Sequence, residues 1–188
     1  LLKNAHQGLR WLFHAGLRGQ QAFPVLALEP SVVEDSIKGG KGSPTPMSSV
    51  VGPLLKDLEP HSAKTNKHLP SNSQLHISLH NGAKAFVVTG PPRALYSLVT
   101  SLRRVKAPSG VDQSKTPFSQ RKPVFYVRFL AVGVPYHSEH LKDAVNKLCT
   151  EDLKDEELWD VKDLKIPVFH TEDGTFLSIH FFSRSSTD

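Results

Sequence analysis

The protein is a chain of 188 residues with a formal net charge of +5, and 38% of its residues are hydrophobic. That length can bury a real core, as one domain or as two subdomains. Every apolar run is shorter than the roughly 20 residues that a membrane-spanning helix needs. The single cysteine, Cys149, excludes an internal disulfide framework and a cysteine-rich metal site. We therefore expect a cytoplasmic protein from a reducing compartment, with no metal and no membrane partner.

The basic side chains do not form a nucleic-acid-binding motif. The densest cluster consists of Arg103, Arg104 and Lys106. It lacks interleaved aromatic residues, zinc-finger spacing and a helix-turn-helix pattern, so we expect no nucleic-acid partner. Solvated surface and contact with an acidic protein partner both remain open for this cluster. The sequence begins without a methionine or a signal-like segment, which is typical of part of a longer chain.

The first predicted helix covers residues 5–23, because apolar side chains recur there at helical spacing: Leu9, Leu12, Phe13 and Leu17. Gly16 and Gly19 each weaken it by about 1 kcal/mol relative to alanine, but glycine also permits close approach of another backbone or of a ligand. Pro24 is expected to end this helix. Residues 29–46 are predicted to be irregular and rich in glycine and proline, with at most a short helical turn at 34–36.

A regular pattern of strands and helices begins at residue 47. It predicts strands at 47–51, 75–79, 85–88 and 124–134, and helices at 53–66 and 93–105. Asn81-Gly82 favours a tight turn with positive φ between the second and third strands. The order β-α-β-β-α-β is the ferredoxin-like, or split βαβ, arrangement, an α/β (α+β) fold in which both helices cover one face of an antiparallel sheet.

His137 follows the last of these strands, after Pro135 and Tyr136, where a helix is predicted to begin. A histidine at a strand-to-helix junction is suited to acid–base chemistry, because its backbone is fixed while one side stays open to substrate. A helix is predicted over residues 138–148. His140 is expected on its surface, and Cys149 is expected to be a buried thiol at its end. Residues 152–163 are predicted to form an acidic surface loop or short helix, and residues 166–169 a strand.

Several longer motifs carry a family resemblance. They are Thr65-Asn66-Lys67-His68-Leu69-Pro70, Asn81-Gly82-Ala83-Lys84, Gly90-Pro91-Pro92, Lys106-Ala107-Pro108-Ser109-Gly110 and Pro135-Tyr136-His137-Ser138. Together they resemble the acetyltransferase (acyl-carrier-protein acyltransferase) domain in the β subunit of fungal-type I fatty acid synthases, or of a related starter-unit synthase. The resemblance covers about residues 5–177.

The resemblance implies a division of the chain. Residues 46–134 would form the ferredoxin-like small subdomain of the malonyl/acyl transferase fold. Residues 1–30 and 135–177 would belong to its α/β-hydrolase-like large subdomain, of which the second segment is the C-terminal part. Residues 178–188 would be a divergent or disordered tail. The fold alone decides no function.

The resemblance also implies a serine–histidine mechanism, with His137 in the position of the catalytic base. Acyl-CoA would be the substrate, the phosphopantetheine thiol of acyl carrier protein the acceptor, and no cofactor would stay bound. The other domains of a multi-enzyme synthase would be further partners. The Gly-His-Ser-x-Gly elbow that carries the nucleophile in this family is absent from the 188 residues. We expect it upstream, and we expect this chain alone to be inactive.

Two further positions bear on the substrate. Malonyl-specific relatives carry an arginine where this sequence has Ala15, which implies an uncharged acyl group such as acetyl or a longer starter, because a buried carboxylate would lack a partner. Arg18, three residues further, lies close to the same helical face. Asn81 matches an asparagine at the edge that faces the acyl site, and a role as a turn residue fits it equally well.

Two other classes of function remain. The first is a non-catalytic structural or interaction module, or a degenerate gene product, which the missing serine elbow supports. The second is a small ferredoxin-like RNA binder. The central strands offer Phe86, Phe125 and Tyr126 for stacking on bases, but without the sequence pattern that RNA-binding sheets of this type carry.

Overall fold

A computed structural model of the chain describes residues 2–24, 27–108, 110–155, 167–169 and 174–175. The chain divides into two compact units, Leu1–Asp152 and Leu153–Asp188. All the helices and strands named below lie in the first unit. In the second unit Phe169 forms an isolated bridge while Pro167 and Val168 are irregular, and the rest of the strand predicted at 166–169 lies outside the described residues.

The described part of the first unit is a mixed α/β structure. Its elements are α1 (Leu2–Ala22), α2 (Pro30–Lys38), β1 (Met47–Val51), α3 (Leu55–Asn66), β2 (His76–Gly82), β3 (Ala85–Thr89), α4 (Pro92–Val105), β4 (Tyr126–Phe129) and α5 (Lys142–Lys147). The strands form one sheet in the order β2-β3-β1-β4. Every neighbouring pair is antiparallel, and Val50 of β1 lies opposite Phe86 on one side and Val127 on the other. The predicted β-α-β-β-α-β order is confirmed.

The principal core lies on one face of this sheet, beneath α3 and α4. Alternation along the strands places Val50, Val88 and Phe129 on that face. Opposite them, α4 buries its predicted apolar side, including Leu95 and Leu98, both fully inaccessible to solvent. Burying a side chain of this size stabilises the fold by about 1.5–3 kcal/mol. The period-3.6 pattern of α4 and the period-2 pattern of the strands therefore meet in one core.

The prediction that residues 29–46 are irregular is wrong for its first half, where α2 begins with Pro30 at its first turn. Proline is accommodated at that position because its missing N–H would have no partner there. A long-range cluster stabilises α2: the Asp35 carboxylate accepts hydrogen bonds from Tyr96 Oη at 2.8 Å and from Arg103 Nη1 at 2.7 Å. These two bonds lower the pKa of Asp35, and the bond from Tyr96 has the larger effect. Local sequence does not show such partners.

Two boundaries in the sheet also differ from the prediction. The turn between β2 and β3 is Ala83-Lys84 rather than Asn81-Gly82, since Gly82 still pairs with Ala85 in the ladder. With register shifts on the way, the pairing of β2 runs through the Asn-Gly dipeptide and ends at Gly82. The last strand covers only Tyr126–Phe129 rather than residues 124–134. Beyond it the backbone turns, with the Val132 N–H donating to the Leu130 carbonyl at 2.8 Å.

Among the described residues, no helix combines the length and the apolar character needed to cross a membrane. The same residues contain no group of three or more His, Cys, Asp or Glu side chains placed to hold a metal ion.

Candidate active site

A cleft of about 730 Å³ lies between α1 and the segment that includes α5. We call it the α1–α5 cleft. Apolar side chains dominate its lining, among them Trp11, Leu12, Leu141, Val145 and Leu148. Ala15 of α1 and His137 both line it, so the structure brings together two of the three predicted site residues. Its volume and apolar walls are typical of a site for a small organic ligand.

His137 is presented by a short segment that is anchored on both sides. Before it, Val134 and Pro135 are buried, and Val134 joins Leu141 and Ala144 in a second, smaller core. After it, the Ser138 hydroxyl donates to the Pro135 carbonyl at 2.5 Å. The proton of the Ser138 hydroxyl is therefore given to the backbone, so Ser138 is not placed as a nucleophile that His137 could activate.

His137 has a φ of 58°, in the left-handed region. Such a conformation in a non-glycine residue costs about 1–3 kcal/mol and persists where the surrounding structure enforces it, which happens most often at functional sites. The anchored segment supplies that enforcement, and the His137 side chain is nevertheless exposed. The backbone that carries the imidazole is therefore fixed, and the side chain lines the cleft.

Gly19 allows this segment to approach α1 closely. A Cβ atom at position 19 would lie 3.0 Å from Cγ1 of Val134, at the buried start of the His137 segment. At Gly16, nearly one turn earlier, a Cβ would meet no atom of the described residues within 4 Å. The sequence showed two weak points in α1, and the structure gives only one of them a packing role.

We expect opposite outcomes from alanine at these two glycines. Gly16→Ala should raise the free energy of unfolding by about 1 kcal/mol, because alanine favours the helix. Gly19→Ala should lose that gain, because overpacking against Val134 costs about 1–3 kcal/mol. Thermal unfolding of both variants beside the parent chain tests this. Equal stabilisation by the two substitutions would contradict the packing role of Gly19.

Arg18 is tied to the end of the segment that follows α5. Its Nε and Nη2 atoms donate to the two oxygens of Asp152 at 2.7 and 3.0 Å. Nη2 also donates to Glu151 Oε2 at 2.6 Å, and Nη1 donates to Gln21 Oε1 at 3.3 Å. The Arg18 side chain is 18% exposed and that of Asp152 13%. Two separate stretches of chain thus form one half-buried ion-pair cluster at the wall of the cleft.

The cluster pairs one guanidinium, that of Arg18, with two carboxylates, those of Glu151 and Asp152. Hydrogen bonding and attraction from Arg18 lower the pKa of Asp152. Because the folded pKa is depressed, the stabilisation is present at neutral pH and is lost only as the pH falls below the ordinary value of 3.8. His14 Nδ1 lies 3.5 Å from Asp152 Oδ1 and would join the cluster when protonated. Sequence reasoning named Arg18 but not its carboxylate partners.

His137 also lines a second cleft, of about 430 Å³, to which the start of β2 contributes His76, Ile77 and Ser78. His140 does not lie on the surface as predicted. It is half-buried with its ring 5.5 Å from that of Phe23, and its Nε2 atom has no hydrogen-bond partner among the described residues. Burial, followed by the charge of His76, lowers the pKa of His140. The local sequence could not reveal this packing against the end of α1.

The remaining candidates lie elsewhere or differ from expectation. Asn81 is exposed near the far end of β2, outside the lining of both clefts. It lies five residues from His76, roughly 15 Å along a strand, and its site role remains a prediction. Cys149 is exposed and lines the α1–α5 cleft rather than being buried. Of the basic cluster, Arg103 pairs with Asp35 at 2.7 Å.

Comparison with known proteins gives consistent matches. The family described as starter unit:ACP transacylase in aflatoxin biosynthesis matches residues 1–123. Fatty acid synthase subunit beta of Saccharomyces cerevisiae is 46% identical over 169 residues, 89% of this chain. The corresponding subunit of Schizosaccharomyces pombe is 44% identical over 173 residues, 92% of the chain. The fatty acid synthase beta subunit aflB of Emericella nidulans is 34% identical over 174 residues.

These matches define a class of acyl-transferring proteins, and the chain belongs to the starter unit:ACP transacylase family. It is homologous to fungal fatty acid synthase β subunits across most of its length. The resemblance drawn from the sequence motifs is confirmed. The chain spans about 8% of the length of the two yeast subunits it matches.

Proposed function

We propose that this chain is part of an acyltransferase domain that moves an uncharged acyl group from CoA to the phosphopantetheine thiol of acyl carrier protein. The observation that carries the proposal is that His137 and Ala15 line one largely apolar cleft. The cleft offers a basic side chain on one wall and an uncharged, small side chain on the other. Membership of the transacylase family supports the same reaction class.

In the proposed mechanism His137 acts as the general base and acid. It accepts the proton of a serine hydroxyl as the serine oxygen attacks the thioester carbonyl, and it returns that proton to the departing CoA thiolate. In the second half the carrier's thiol gives its proton to His137 and attacks the acyl-serine. The serine oxygen leaves and recovers a proton from the imidazole. The serine itself would come from the parent polypeptide, outside these 188 residues.

The proposed assembly is the one that the family resemblance implies. The segment that includes β1 to β4, residues 46–134, would be the ferredoxin-like small subdomain. Residues 1–30 and 135–177 would belong to the large subdomain, and residues 178–188 to a divergent tail. Acyl carrier protein and the other domains of a cytoplasmic fatty acid synthase would be its partners, with no cofactor held permanently.

Cleft polarity supports an uncharged acyl group. Ala15 places no charge at the wall of α1, and its neighbours Trp11 and Leu12 are apolar. A free carboxylate placed against Trp11, Leu12 and Ala15 would lose its hydration without gaining a partner from these three side chains, which is unfavourable by several kcal/mol in an apolar surrounding. Acetyl or a longer starter such as hexanoyl fits these walls.

A non-catalytic interaction module is the second candidate. Its support is the apolar surface of α1, where Leu9 is 67% and Phe13 66% exposed. Such a surface could pack against the rest of a large synthase without any chemistry. The two candidates differ in whether the α1–α5 cleft binds acyl thioesters.

Trp11 provides a direct measurement of that binding. The chain has two tryptophans, Trp11 and Trp159. In the variant Trp159→Phe, all tryptophan fluorescence therefore comes from Trp11, which lines the cleft. We expect a saturable fluorescence change with acetyl-pantetheine and hexanoyl-pantetheine. Gly16→Phe, which places a ring in the cleft, is the control and should abolish the change.

A flat titration with both acyl-pantetheines, in a variant that circular dichroism shows to be folded, would contradict the proposed acyl site. It would favour the interaction module instead. Binding that survives Gly16→Phe would place the ligand outside the α1–α5 cleft and would likewise count against the proposal.

A further inference from the structure

Arg18 lines the α1–α5 cleft but does not present a free guanidinium to it. A carboxylate is held best by two parallel N–H donors on one edge of the guanidinium. The Nε–Nη2 edge of Arg18 already holds Asp152 in this two-point manner, at 2.7 and 3.0 Å. That edge is closed to any other acid.

The second edge, formed by Nη1 and Nη2, is also engaged. Nη2 donates its remaining hydrogen to Glu151 at 2.6 Å, and Nη1 donates one of its two to Gln21 at 3.3 Å. Arginine has five N–H donors, and these contacts use four of them. The one that remains cannot make a two-point contact with an incoming carboxylate.

The two acidic partners also outweigh the positive charge of Arg18. Arg18 carries one positive charge, while Asp152 and Glu151 together carry two negative charges within hydrogen-bonding distance of it. A negatively charged ligand approaching this wall would therefore meet no net attraction. The side chains of Arg18 and Asp152 are 18% and 13% exposed, so solvent screens this cluster only in part.

We propose that Asp152 and Glu151 determine acyl specificity by holding Arg18 away from the substrate, which excludes acyl groups that end in a carboxylate. This inference rests on the proposed acyl site. It assigns to the segment after α5 a role in substrate choice, through an arginine on α1 that would otherwise bind malonyl-type groups. Asp152 and Glu151 are positioning residues here, because neither lines the cleft itself.

The test compares two probes, malonyl-pantetheine and acetyl-pantetheine, by Trp11 fluorescence in the Trp159→Phe chain. The parent should bind acetyl-pantetheine and discriminate against malonyl-pantetheine. The double variant Glu151→Gln, Asp152→Asn keeps side-chain size but removes both charges. It should raise malonyl affinity relative to acetyl by about tenfold or more, as a charge-assisted pair permits.

A third variant separates Arg18 from the other cation in the lining, Lys142. Adding Arg18→Gln to the double variant should remove the gained malonyl affinity and return the malonyl-to-acetyl affinity ratio to the parental value. Should the double variant fail to fold, Glu151→Gln alone serves, because Glu151 is 53% exposed and tolerates the change. It should shift the ratio in the same direction by a smaller factor.

The possible outcomes distinguish the two levels of the argument. If neither probe binds to any folded variant, the proposed acyl site fails. If acetyl-pantetheine binds throughout but the malonyl-to-acetyl ratio stays the same in the double variant and in Glu151→Gln, the specificity role of Asp152 and Glu151 is overturned. A gain in malonyl binding that persists with Arg18→Gln would also overturn it.

Discussion

Replacing His137 by asparagine should slow acyl transfer about 10²- to 10⁴-fold, the usual contribution of a positioned general acid–base group. Asparagine suits the test because it tolerates the positive φ of this position and has no basic nitrogen. The measurement is transfer of labelled acetyl from CoA to carrier protein. It requires a full-length subunit in which this sequence replaces the matching segment of the Saccharomyces cerevisiae β subunit.

Two comparisons make the His137 result specific. His68→Asn, at an exposed histidine after α3, should leave the rate unchanged. Acyl-pantetheine binding to the α1–α5 cleft should survive His137→Asn, since the base acts in proton transfer rather than in holding the acyl chain. A His137→Asn subunit that transfers acetyl at the parental rate would exclude the base role.

Replacing Ala15 by arginine should convert the charge preference of the cleft. A guanidinium added at this wall would give a malonyl carboxylate a two-point partner. We expect the ratio of malonyl to acetyl transfer to rise by about tenfold or more, the effect of one charge-assisted hydrogen-bonded pair. Acetyl transfer itself should fall, because the uncharged acetyl group gives the new cation no partner and would have to displace the water that hydrates it. Transfer assays of the same hybrid subunit with both acyl-CoAs measure the ratio.

Ala15→Met is the matched control for length without charge. It should reduce transfer of the longer acyl groups by filling the cleft, with no gain for malonyl. Arg18 lies three residues from Ala15 and therefore on the neighbouring helical surface. Its guanidinium is already paired with Asp152 and Glu151, so it does not replace the arginine introduced at position 15. An unchanged malonyl-to-acetyl ratio in Ala15→Arg would show that the acyl group does not contact this wall.

The regular elements were predictable because their signals are local. In α4, Leu95, Leu98 and Leu102 recur at helical spacing, and all three are buried. The apolar run around Val87 and Val88 forms β3 as expected. Asn81-Gly82 gave a wrong turn prediction because β2, with its register shifts, keeps pairing through this dipeptide. The extent of pairing with a neighbouring strand, rather than turn propensity, sets where that strand ends.

The sequence by itself determined the family, the β-α-β-β-α-β order and the two residues, Ala15 and His137, on which the proposed chemistry depends. Tertiary structure alone decided what surrounds them. Ala15 and His137 are 122 positions apart in the chain, yet they line one cleft, and Arg18 meets Asp152 across a separation of 134 positions. Local propensity carries no information on which distant side chains share a wall. Packing of α1 against the α5 segment brings them together, and Gly19 leaves room for the Val134 side chain at this contact. The same packing leaves the His137 side chain exposed to the cleft and pairs the Arg18 guanidinium with Asp152 and Glu151.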